Sequence, residues 1–313
     1  MSVKRSEIPA GLAPAVVVAH SFNSALYHQL MIHVRRFRLS GKIERPAWDQ
    51  AIRRVARIYL PLGPFHWFEY AIAGAADNAS LRTALDDRAA HFARELGEAM
   101  ASVADDYRCN NWAIDRPELE RVQHELVAAI GTVKDALFTE LGRQLELGLG
   151  SEPLEFMLVP HCHEPTGAYS HPTVIGIDRF AGHSLIEVLL HEAGHVAAAR
   201  SAEGQPDGLE RIQGAAARLG LSEGVALELF HLLLFHAAGA LVRACFDMNF
   251  ATVASRLNVY AKIGAKVGFR GLSEADIDAI WGRRQRGETG LDEVVQQIHA
   301  CLKKGGASKP ITA

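Results

Sequence analysis

Residues 187–196 read EVLLHEAGHV, with His191 and His195 four apart and Glu192 directly after the first. On an α-helix, positions four apart differ by about 40° around the axis and about 6 Å along it. Both imidazoles can therefore converge on one divalent ion, as two ligands of a tetrahedral zinc site must. Glu192 is rotated roughly 100° from His191, so it need not ligate. It can instead hydrogen-bond a water held by the ion. Zinc acidifies such a water and polarises a carbonyl oxygen. Glu192 would then take the proton and pass it to the leaving group as a general base and acid. The pattern predicts metal-assisted hydrolysis with Zn²⁺ as cofactor. A chance match would be a helix carrying two core histidines, but unpartnered imidazoles are costly in so apolar a segment.

The elements that must hold these groups follow from the neighbouring residues. Ser184-Leu185-Ile186-Glu187 has the spacing of a capping box, which predicts a helix starting near Ser184. Leu185, Ile186, Val188, Leu189 and Leu190 suit burial. Gly194 is costly inside a helix, so another chain segment or a substrate is expected to pass close to it. Upstream, EFMLVP (155–160) and PTVIGID (172–178) are short β-branched or apolar runs that predict strands. The first half is helical in pattern: SALYHQLMIHVRRF (24–37), a helix entered at Pro46, and amphipathic stretches at 79–105 and 117–145. LGPFHWFEYAIAG (62–74) is rich in aromatics and reads as core. The expected fold class is α+β, predominantly helical, with a small sheet packed on the His191 helix. The expected divisions are a helical region 1–150 covering the cleft, a metal-binding catalytic region 151–303, and a disordered tail 304–313.

Composition narrows the partners. The chain has 313 residues with 33 Lys and Arg against 36 Asp and Glu. A net charge of -3 gives no electrostatic reason to expect nucleic acid. The four cysteines, at 109, 162, 245 and 301, are scattered without a CxxC pair, which argues against a disulfide framework and a thiolate zinc site. A reducing cytoplasm is the expected location. Residues 8–19 (IPAGLAPAVVVA) only loosely resemble a secretory leader, since Glu7 and two prolines interrupt the pattern. No stretch of about 18 uninterrupted apolar residues occurs, so no membrane association is expected.

Strand PTVIGID followed by SLIEVLLHEAGHVAAA resembles the catalytic core of zincin metallopeptidases, where an edge strand precedes the HExxH helix. The helical first half resembles no family. The resemblance implies a zinc-dependent peptidase or amidase acting on a peptide or small amide, and a third ligand from a later helix. LSEGVALELFHLLLFHAAGALV (221–242) carries Glu223, Glu228, His231 and His236. LSEGVA is similar to the ligand helix of gluzincins, which implies Glu223, with Ser222 as the cap. The acid that gluzincins carry four residues later is replaced by Leu227. That departure leaves room for His231, which lies about 12 Å further along the axis than Glu223. One ion cannot take both from a straight helix. Glu228 and His236 stay open as lesser candidates, with His236 favoured as a core residue.

The loop before the active helix holds His161, His163, Tyr169, His171 and His183. In a zincin layout it borders the cleft, and His163 or Tyr169 would donate to the developing oxyanion. His161-Cys162-His163 also offers a second metal site; in extended chain its two histidines share a face and Cys162 points away. Two other functions fit the same residues. A set of two histidines and a carboxylate also suits iron or manganese in a non-hydrolytic reaction. A helical binding protein with a vestigial site would bind metal sub-stoichiometrically.

Overall fold

The computed structural model describes residues 3–11, 13–62, 90–164, 166–170, 172–200, 208–266 and 273–305. The aromatic stretch 63–74, His171 and the tail from 306 lie outside them. The fold is α+β and mostly helical, with one mixed five-stranded sheet. Cα packing divides it into two compact units that alternate along the chain: Met1–Thr132 with Glu152–Leu185, and Val133–Ser151 with Ile186–Ala313. Residues 1–150 therefore do not fall in a single unit, nor are they wholly helical.

The first unit is built on the sheet. Its strands are β1 (Lys4–Ile8), β2 (Val16–His20), β3 (Leu154–Val159), β4 (Ala168–Tyr169) and β5 (Thr173–Gly176). Their spatial order is β1-β2-β3-β5-β4. β2, β3 and β5 run parallel, and β1 and β4 close the two edges antiparallel. The two runs read as strands become β3 and β5. The run weighed as part of a leader becomes β2, all five of whose residues are buried. Continuous apolar sequence suits parallel strands covered on both faces. β5 has neighbours on both sides, so the strand preceding the HExxH helix is not an edge strand.

Helix Phe22–Ser40 follows β2 after a single residue. Ser21 caps it by accepting from Ser24 N at 3.0 Å. Gly41 ends it at φ 71°, donating its N–H to Phe37 O. Helix Ala113–Gly131 lies against β1, β2 and β3, and Gln123 reaches from it to donate to Val18 O at 2.6 Å. The segment read as one amphipathic stretch, 117–145, is two helices, Ala113–Gly131 and Lys134–Leu145.

The second unit is helical. Helix Glu223–Cys245 packs against Lys134–Leu145, Gly208–Arg218, Val253–Arg256 and Val259–Lys266. It is long and apolar enough to cross a membrane, a property not expected from the sequence, and two thirds of its apolar window is buried inside the protein. Gly208 begins its helix against the end of Lys134–Leu145; a Cβ there would meet Leu145 O at 1.7 Å. Helix Glu274–Gln285 is tied to the same place. Trp281 Nε1 donates to Gln144 Oε1 at 2.9 Å, and the buried Arg284 donates to the carbonyls of Gln144, Arg143 and Thr289 and to Glu146.

Candidate metal centre

His191, Glu192 and His195 lie on helix His183–Ala199. Residues 184–194 of this helix are buried without interruption. A helix apolar all round belongs in an interior. The expected capping box does not form. Ser184 Oγ donates to Ala181 O at 2.8 Å instead of accepting from the first turn. Glu187 turns inward: its Oε2 accepts from Val253 N at 2.8 Å, so it caps the short helix Val253–Arg256. Its Oε1 is buried with no hydrogen-bond partner among the described residues. Burial raises its carboxyl to about 7, against the pull of the Val253 and Ala254 amides. A long-range partner thus replaced the local one that the spacing predicted.

Gly194 is explained by close approach. A Cβ at this position would lie 2.3 Å from Leu234 Cδ1 and 3.1 Å from Cδ2, so glycine lets helix Glu223–Cys245 come near. Leu234 and His231 are three apart on that helix, and the approach brings His231 to the pair. The ring centroids are 4.7 Å apart for His191–His195, 5.3 Å for His191–His231 and 4.6 Å for His195–His231. One ligand nitrogen from each of the three lies within 4.8 Å of the others, a group that could hold a metal ion. His191 Nε2 and His195 Nε2 are 3.1 Å apart. With bonds of about 2.0–2.1 Å to a tetrahedral ion, two nitrogens stand roughly 3.3 Å apart, so the pair fits a zinc-sized ion.

Burial, then the neighbouring His195 and His231, holds His191 well below the usual imidazole range. It is therefore neutral at pH 7, the form that ligates metals. Phe235 stacks on its ring at 3.7 Å and Phe230 meets His195 edge-on, which fixes both ring planes. His191 is 3% exposed, whereas His195 is half-buried and His231 exposed. The group thus has an inner wall and an open side. Glu192 is 5% exposed, directly beside His191 in sequence.

The other third-ligand candidates are elsewhere. Glu223 is exposed on the first turn of its helix, behind the Ser222 cap that accepts from Val225 N. Neither it nor the half-buried Glu228 joins the histidine group. His236 is a core residue: Nδ1 meets Tyr260 Oη at 3.0 Å, its ring packs edge-on to Trp281, and burial lowers its pKa to about 4. His163 and Tyr169, expected to border the same cleft, belong to the first unit and gather around His28. His161 pairs with Asp178 at 3.0 Å. Cys162 does not point away from His163: with His28 and His163 it forms a second group whose ligand atoms lie within 4.8 Å of one another. Sequence reasoning missed His28. It lies 135 residues from His163, and no local spacing links them.

Compared with protein-family models, curated proteins and solved structures, the chain matches none.

Proposed function

We propose that this protein is a zinc-dependent hydrolase of peptide or amide bonds, with the zincin-like chemistry its motif resembles. The observation that carries the reading is the meeting of His191, His195 and His231 from two helices, with the paired Nε2 atoms 3.1 Å apart. These three residues would hold the ion. Bound zinc would acidify a water and polarise the scissile carbonyl.

The chain's own residues do the rest. Phe235 and Phe230 keep the imidazoles in orientation. The buried Glu192, one position after His191, takes the proton of the attacking water and returns it to the leaving nitrogen. The exposed side at His231 is where substrate enters. Three imidazoles without a carboxylate favour zinc over the two-histidine, one-carboxylate set that suits non-haem iron.

The test is elemental analysis of protein isolated without added ions, followed by cleavage of a mixed peptide library. Stoichiometric zinc and chelator-sensitive cleavage are expected. Iron in place of zinc, or a Glu192→Gln variant that cleaves as the parent does, would overturn the reading.

A further inference from the structure

We propose that His28, Cys162 and His163 form a second transition-metal site, for a borderline-soft divalent ion such as zinc, in the sheet unit. Helix Phe22–Ser40 follows the carboxyl end of β2 and carries His28. The loop leaving the carboxyl end of β3 carries Cys162 and His163. β2 and β3 are adjacent and parallel, so their carboxyl ends open together. Crevices at such ends are where open α/β sheets hold ligands.

The arrangement of the ring nitrogens suits a cation. His28 Nε2 lies 3.3 Å from Tyr169 Oη, and His163 Nε2 lies 3.5 Å from Glu164 Oε1. Each Nε2 thus has an oxygen to donate to. The backbone N–H of His163 points at His28 Nδ1 from 3.2 Å, which marks that nitrogen as the lone-pair end of its ring. The two Nδ1 atoms lie 2.9 Å apart, close enough to share one cation or one proton. A proton on His163 Nδ1 makes this contact an N–H···N hydrogen bond; a metal ion held by both rings takes that proton's place. Ligating histidines characteristically donate their second ring nitrogen to an oxygen of this kind. The Cys162 thiol completes a set of two nitrogens and one sulfur, which suits zinc-like ions and not magnesium or calcium.

The surroundings fix these groups. His28 is 1% exposed and His163 8%. Arg35 donates to the His163 carbonyl at 3.2 Å. Gly176, at the end of β5, has no Cβ where one would fall 2.8 Å from Cys162 N, so the loop can lie flat on the sheet. A cavity of about 420 Å³, lined by Met31, Arg35, Arg38 and Glu164 among others, borders the group at His163.

The experiment uses the full chain with His191→Ala and His195→Ala, which removes the first site and makes the result independent of the proposed hydrolase. After chelation, Co²⁺ is titrated as an optical probe. One equivalent should bind with a sulfur-to-cobalt charge-transfer band, and Cys162→Ser should abolish that band. Absence of a bound equivalent, or a band that survives Cys162→Ser, overturns the site. If Cys162→Ser fails to fold, the parent chain supplies the answer through alkylation followed by mass spectrometry. Zn²⁺ should slow modification of Cys162 by roughly tenfold or more while leaving the exposed Cys109 unaffected. Equal rates for Cys162 with and without Zn²⁺ refute the proposal. They would mean that a proton, not a metal, sits between the two rings.

Discussion

The two histidine groups are built by opposite means. In the helical unit, two of three imidazoles are four residues apart on one helix, and the third comes from a helix packed beside it. In the sheet unit, the residues come from a helix and a loop 134 and 135 positions apart, each following a parallel strand. Helical spacing fixes the first pair before any tertiary contact forms. The second group exists only once β2 and β3 have paired. The difference predicts that the first group depends on interhelical distance, and the second on side-chain hydrogen bonds that orient two unrelated rings.

The largest expected effect is at Glu192. Glu192→Gln should lower kcat by about 10²–10⁴-fold with metal content unchanged, because the proposed role of Glu192 is proton transfer alone. Retained turnover would remove the functional distinction between the groups. Next is the proposed third ligand: His231→Ala should weaken metal binding at the first group by at least 10–100-fold, the range seen even for residues that merely support a ligand. Glu223→Gln should leave affinity within about twofold, since the exposed carboxylate is screened by solvent. The opposite ranking would restore the gluzincin-like arrangement.

Glu187 sharpens the comparison, because it anchors the same helix one turn before His191. Its carboxyl stands near 7 in the folded protein, above its ordinary value of 4.5. Between those limits the folded chain holds a proton that the unfolded chain releases, so stability falls as pH rises through the window. The loss across the window amounts to roughly 3 kcal/mol. Glu187→Gln should flatten the decline in melting temperature between pH 5 and pH 8. An equally steep decline would place the titration elsewhere.

Gly194→Ala should cost about 1–3 kcal/mol, since the new methyl group overlaps Leu234. It should weaken metal binding at the first group and leave Co²⁺ binding at Cys162 unchanged, as titrations of each site would show. A modest effect is expected at Tyr169. Tyr169→Phe removes the oxygen that His28 Nε2 faces and should weaken the second site by about tenfold.

His191, Glu192 and His195 were legible because their relation is fixed by the helix itself. β3 and β5 were legible from β-branched runs bounded by turn residues. β2 was harder, because a short apolar run next to basic residues carries the same signal as other apolar segments. The capping box misled for a physical reason. Ser184 and Glu187 have the right spacing, but a carboxylate facing an interior binds whichever unsatisfied amides the fold presents, here those of Val253 and Ala254.

The sequence by itself determined the periodic facts: which stretches are helical, which two imidazoles share a face, and which acid stands beside them. Tertiary structure decided the rest. It brought His231, not Glu223, beside His191 and His195, with Leu234 against Gly194, and it joined His28 to Cys162 and His163 across the sheet. Spacing along one element is set by backbone geometry. Contact between elements is set by packing, and no residue's neighbours in the chain encode it.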